Sequence, residues 1–158
     1  MKKFDDDGFV IIPSLIDKKY AKEILVKLDS FIKKRSSDFK TKDINFSKKR
    51  VVNSVHTMNE FSEIKKLRKN NTLKKIIRKL LKKNIINFGS EVFLKPARSG
   101  LRAPAHQDNY YWCLKNPNAI TVWIALEKAN KKNGSVYYYK KSNHFGLLEH
   151  SPSNIAGL

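Results

Sequence analysis

With 158 residues, 41% of them hydrophobic and 11% aromatic, the chain is long and apolar enough to bury one domain's core, which excludes an intrinsically disordered composition. Its formal charge of +19 raises the question of an anionic partner, but 27 of its 33 basic residues are lysine, spread from Lys2 to Lys141. Readers of nucleic acid lean on the arginine fork, so the charge reads as solvated surface, with a functional basic face as the alternative.

Asparagine and isoleucine, at 14 each, are also abundant, which with the lysines suggests a compositional bias of the source genome. The one cysteine, Cys113, excludes an intrachain disulfide framework and suits a reducing compartment. The opening "MKKFDDDGFVIIPSLID" has three aspartates before a short apolar run and is wrong for a signal peptide. No stretch approaches the roughly 18 apolar residues of a membrane helix. A cytoplasmic protein is expected.

In chain order, Phe9–Ile12 reads as a short strand closed by Pro13. Asp17 is placed to cap a helix running to about Arg35, with Tyr20, Ile24, Leu28 and Phe31 on its core face. Residues 36–57 read as irregular, with a strand at "RVVNSV". Asn59 is the expected cap of a short helix carrying Phe61, Ile64 and Leu67. "NNTLKKIIRKLLKKN" is a stronger amphipathic helix, with Leu73, Ile76, Ile77, Leu80 and Leu81 opposite its lysines. Such a helix can bind membranes; packing on its own domain is the preferred use.

From residue 85 the period changes. "IINFGSEVFLKP", "AHQDNYYW", "AITVWIALEKA" and "SVYYYKK" read as strands, separated by "RSGLRAP", "NPN" and "NKKNG". Helices followed by antiparallel strands point to a mainly β fold, a sandwich or jelly roll with the N-terminal helices packed outside. The chain is expected to be one domain, with 1–84 largely helical and 85–158 forming core strands.

"HQD" carries the chemistry. On a strand, residues i and i+2 share a face, so His106 and Asp108 can both reach one ion while Gln107 points away. An imidazole and a carboxylate are two-thirds of the facial triad that holds non-heme Fe(II). H-x-D by itself is a weak signal, equally met as a polar pair on a sheet.

The surrounding residues add a resemblance. "DDDGFVIIPSLID", "FLKPARSGLRAPAHQDNYYW" and "ITVWIALEKANKKNGSVYYYKKSNHFGLLEH" are together similar to the phytanoyl-CoA dioxygenase family, Fe(II)- and 2-oxoglutarate-dependent oxygenases. The match includes a T-x-W-x-A-L strand (Thr121, Trp123, Ala125, Leu126), the Asn133-Gly134 turn and Ser142-Asn143-His144 in place of a G-S-H end. It misses only residues 36–84. The resemblance implies a double-stranded β-helix, cupin-like core, with Fe(II), 2-oxoglutarate and O2 serving hydroxylation of a small organic or acyl substrate. It makes His106 and Asp108 iron ligands, Lys95 and Thr121 cosubstrate contacts, and Trp112 and Trp123 pocket residues. The presence of Asp108 implies hydroxylation rather than halogenation.

The resemblance also exposes a deficit. The family's second histidine comes from a later strand, with an arginine after it that pairs with 2-oxoglutarate, and no arginine follows Arg102 here. His56 has no motif around it and His144 ends an earlier strand. His150 matches a G-l-l-x-H continuation and is the weak remaining candidate for third ligand. The ending "SPSNIAGL" reads as an interruption, so a jelly roll lacking its distal histidine and arginine is expected. The competing reading is a non-catalytic basic module that contacts nucleic acid; the chain has no Arg cluster, RNP-like motif or helix-turn-helix signature for that role. Substrate and oligomeric state are not encoded legibly.

Overall fold

The structure is a computed structural model that describes residues 2–35, 44–46, 52–56, 58–98, 102–116 and 118–152. The irregular reading of 36–43 and 47–51, the centre of the "RSG" loop, Pro117 of the "NPN" turn and the ending from residue 153 lie outside the described residues.

The long N-terminal helix forms as its sequence dictates. Helix α2 spans Lys18–Arg35, and Asp17 Oδ1 accepts the Tyr20 N–H at 2.7 Å, satisfying a free first-turn donor. Its i, i+4, i+8 stripe of Ile24, Leu28 and Ile32 is buried. It packs with Ile44, Val55, Met58 and Phe61 in the core, edged by the half-buried Tyr20 and Phe31. Helices α3 (Ser62–Lys69) and α4 (Asn71–Leu81) follow where the 3.6-residue pattern places them. The Asn70 side chain caps α4 by accepting the Leu73 N–H at 2.9 Å. Asn59 does not cap α3, whose N-cap is Phe61 without a side-chain bond. Its amide oxygen instead accepts from the Arg68 guanidinium at the far end of that helix.

A buried carboxylate ties α2 to α3. Glu63 is inaccessible to solvent and accepts from Lys27 of α2 at 2.6 Å, from Lys66 at 3.0 Å and from the Ser62 hydroxyl. Lys27 first, then Ser62, hold the Glu63 carboxyl down at about 2 against an ordinary 4.5, outweighing the opposing effect of burial. The same bond raises the Lys27 ammonium.

The strands depart from expectation. Among the described residues there is one antiparallel sheet, β1 (Ile44–Phe46), β2 (Val52–Val55) and β3 (Val92–Phe93), in that order. β2 falls on the described part of "RVVNSV", Val52–Val55. Within "IINFGSEVFLKP" the ladder takes Val92 and Phe93, with the Leu94 N–H adding a bond to the Asn53 carbonyl at 2.7 Å. Phe9–Ile12 is not a strand. Helix α1 (Lys2–Asp7) occupies the aspartate run, and Gly8, at φ 82°, ends it with its N–H on the Phe4 carbonyl. "AHQDNYYW" is also not a strand, because helix α5 takes up Asp108–Trp112 and Cys113, at φ 53°, stops it. "AITVWIALEKA" and "SVYYYKK" run between turns without ladder partners. A strand exists through its neighbours' hydrogen bonds, and among the described residues neither segment joins a ladder. The mainly β jelly roll is thus not what the described residues show.

The Asn130–Gly134 turn is formed, with Ser135 N–H on the Asn130 carbonyl at 3.1 Å. The two halves of the chain meet at the β2–β3 ladder and through Val92, Leu94 and Leu126, which pack on the core. A second join ties α1 to a 3-10 turn at Ser142–His144. There Lys141 N–H and Asn143 Nδ2 donate to the Asp7 and Asp5 carbonyls, each at 3.0 Å, and Lys140 lies 3.3 Å from the Asp7 carboxylate.

Candidate metal centre

Although not on a strand, His106 and Asp108 are brought together. Gln107 is extended (φ −115°, ψ 124°) and Asp108 opens α5, so the chain turns between them, leaving His106 Nε2 3.4 Å from Asp108 Oδ1. An acidic residue at a helix start is also favoured by the free N–H groups there.

The pair's protons are set by its neighbours. His106 Nδ1 lies 2.8 Å from the Pro104 carbonyl oxygen, which can only accept, so Nδ1 carries the hydrogen and Nε2 is left with a lone pair. That lone pair faces a carboxylate oxygen, and two acceptors face to face need a cation or a proton between them. Protonation gives a half-exposed ion pair worth about 0–1 kcal/mol. A divalent cation suits the same spacing, because donors about 2.1 Å from an octahedral ion lie about 3 Å apart in cis positions. The second carboxylate oxygen, Asp108 Oδ2, accepts the Thr121 hydroxyl at 2.5 Å. A carbonyl behind the histidine and a hydroxyl behind the carboxylate are the outer contacts that metal ligands ordinarily have.

The residues present therefore fit two cis positions of an Fe(II) site. Among the described residues no group of three or more His, Cys, Asp or Glu side chains converges to hold an ion. Both ring nitrogens of His150, the candidate third ligand, are engaged elsewhere in this structure. Its Nε2 accepts the Gln107 backbone N–H at 2.9 Å and its Nδ1 bonds the Leu148 carbonyl at 2.8 Å, which occupies both nitrogens. His56 lies 3.3 Å from Glu91 across β2 and β3, and His144 Nε2 bonds the Asp6 carbonyl.

Thr121 touches Asp108 directly, a position that serves the carboxylate. Lys95 is brought to the Asn133–Gly134 turn, where its stem lies where a Gly134 side chain would be. No hydrogen bond among the described residues joins it to the pair. Trp112, half-buried at the end of α5, tilts against Phe88 at 5.7 Å. Trp123 is exposed.

Three residues escaped the sequence reading. Tyr111 sets its ring edge on His106 at 5.8 Å. Tyr138 stacks on Phe9 at 5.5 Å, and its phenol is raised above its ordinary value by burial first and then by the Asp108 charge. Gln107 bonds Gly146 and Leu148. The i+3 spacing of Tyr111 from Asp108 on a helix was the one available signal, and reading the segment as a strand hid it.

The sequence profile of the Phytanoyl-CoA dioxygenase (PhyH) family matches residues 4–151. The chain belongs to the phytanoyl-CoA dioxygenase family. The match runs from within α1 to just past His150, including the middle that the motif comparison missed. The family's fold is the cupin-like jelly roll, and its members are in general Fe(II)- and 2-oxoglutarate-dependent oxygenases acting on small molecules. No curated protein and no solved structure matches the chain. Among the described residues no helix is long and apolar enough to cross a membrane.

Proposed function

We propose that this phytanoyl-CoA dioxygenase family chain carries the H-x-D half of an oxygenase site that hydroxylates a small organic or acyl substrate. The observation that supports this most is the His106–Asp108 pair itself: two lone-pair donors 3.4 Å apart, each with its other polar atom held from behind. In this reading the chain is one cytosolic domain. His106 Nε2 and Asp108 Oδ1 bind Fe(II), and the distal histidine and the cosubstrate's arginine are not among this chain's own residues.

Fe(II) with 2-oxoglutarate and O2 supplies the oxidant for C–H hydroxylation, leaving succinate and CO2. The protein's residues bind and orient. The Pro104 carbonyl fixes the imidazole tautomer, and the Thr121 hydroxyl turns Asp108 so that Oδ1 faces His106. Tyr111 sets its ring against His106 and helps to hold the imidazole. Lys95 is the proposed ammonium partner of a cosubstrate carboxylate, with Trp112 and Trp123 as pocket walls.

The test is Fe(II)-dependent succinate release from 2-oxoglutarate by the chain extended downstream of Leu158 so that a distal histidine and arginine are supplied. The expected result is turnover that His106→Ala and Asp108→Ala each abolish. Turnover that persists in both variants contradicts the assignment.

A further inference from the structure

Gln107 sits between the two donors, so how its peptide is held decides how His106 and Asp108 diverge. On a strand, ladder bonds to a neighbour would hold it. Here the ladder is absent, and the segment 146–150 takes its place. Gln107 N–H donates to His150 Nε2 at 2.9 Å. The Gln107 side-chain amide donates to the Gly146 carbonyl at 2.7 Å and accepts the Leu148 N–H at 2.7 Å. Three bonds thus tie one residue to a segment about 40 positions away.

His150 is built for this task. The Leu148 carbonyl at 2.8 Å requires a hydrogen on Nδ1, which leaves Nε2 as an acceptor for Gln107. The ring is fixed by stacking on Tyr110, with centroids 4.1 Å apart and planes 17° apart. Tyr111 meets it edge-on at 6.5 Å and also meets His106 edge-on at 5.8 Å. We propose that His150 is a positioning residue for the metal pair, holding the Gln107 peptide through a neutral, Nδ1-protonated imidazole. This deepens the metal reading above and rests on it.

The test uses two variants and Mn(II) alone as the probe. His150→Phe keeps a ring against Tyr110 and loses the acceptor, whereas His150→Gln restores an acceptor atom. Amide hydrogen exchange reads the Gln107 N–H without metal, and the electron paramagnetic resonance of free Mn(II) reads affinity. His150→Phe should speed Gln107 exchange at least tenfold, leave Val55 of the core unchanged, and weaken Mn(II) binding by about 10-fold, the low end of losses at such outer contacts. His150→Gln should recover most of both. Unchanged Gln107 exchange, or faster exchange with unaltered Mn(II) affinity, overturns the proposal while leaving the metal pair standing. Wild-type binding no tighter than that of Asp108→Ala overturns the metal reading and this proposal with it. Imidazole nitrogen shifts in the unmutated protein decide independently of variant folding: an Nδ1–H tautomer at His150 supports the proposal, and an Nε2–H tautomer overturns it.

Discussion

Asp108 has two oxygens with two different jobs, one facing His106 Nε2 and one accepting the Thr121 hydroxyl. Thr121→Val removes only the second contact. It should weaken divalent-metal binding by roughly tenfold, read by calorimetric titration, without lowering the melting temperature by more than a few degrees, because Thr121 is exposed. Glu63 gives a residue-scale expectation of another kind. Its carboxyl titrates at about 2 in the folded chain against an ordinary 4.5, so the folded state binds fewer protons in that window. A depressed carboxyl contributes stability that is fully present above pH 4.5 and is lost as the pH falls toward 2. Denaturant unfolding should show this loss, and Glu63→Gln should flatten it while costing about 1–3 kcal/mol at neutral pH through weakened charged hydrogen bonds.

At the scale of elements, α2 is the strut of the core. Leu28 is 2% exposed and packs among Ile24, Ile32, Val55 and Phe61. Leu28→Ala should cost about 2–5 kcal/mol, the usual cost of a large-to-small change in a packed core, measured by urea unfolding. Helix α2, with its Asp17 cap, was legible because its signals are local: a cap residue, a 3.6-residue stripe and no interior glycine or proline. The same holds for the apolar stripe of α4, whose Asn70 cap the structure adds. The segments from 85 onward were not legible as elements, since alternating apolar residues state a preference for strand and say nothing about whether a neighbour is present to pair. "DNYYW" shows the other failure, in which β-prone aromatics follow an aspartate that favours a helix start. The pairing of His106 with Asp108 was readable all the same, because two residues of separation bring them together on a strand or across an extended-to-helix turn. Their supports were not, since Pro104, Thr121, Gln107 and His150 act through backbone groups or contacts that no spacing rule announces.

Across the whole molecule the two halves differ in how they are held. Among the described residues the largest fully buried side chains, Met58, Glu63, Val55 and Ser54, lie between residues 54 and 63. Large apolar residues beyond residue 85, among them Ile86, Phe88, Trp123, Tyr137, Tyr139 and Phe145, stay exposed. Local opening costs least where few apolar contacts and ladder bonds must be broken. Hydrogen exchange should therefore show α2 and β2 protected and residues 121–125 and 136–139 exchanging orders of magnitude faster. The lysine-rich surface bears on the alternative role as a basic module. Without an arginine cluster, binding to single-stranded RNA should stay weak at physiological salt in a polarisation titration; tight, steeply salt-dependent binding would favour that role instead.

The metal reading hangs on one pair of side chains. The most direct measurement is anaerobic Fe(II) titration of the unmutated chain beside His106→Ala and Asp108→Ala. The expected result is one bound ion, with affinity reduced at least tenfold in each variant and the fold intact by circular dichroism. Equal Fe(II) binding in all three proteins would contradict the metal centre.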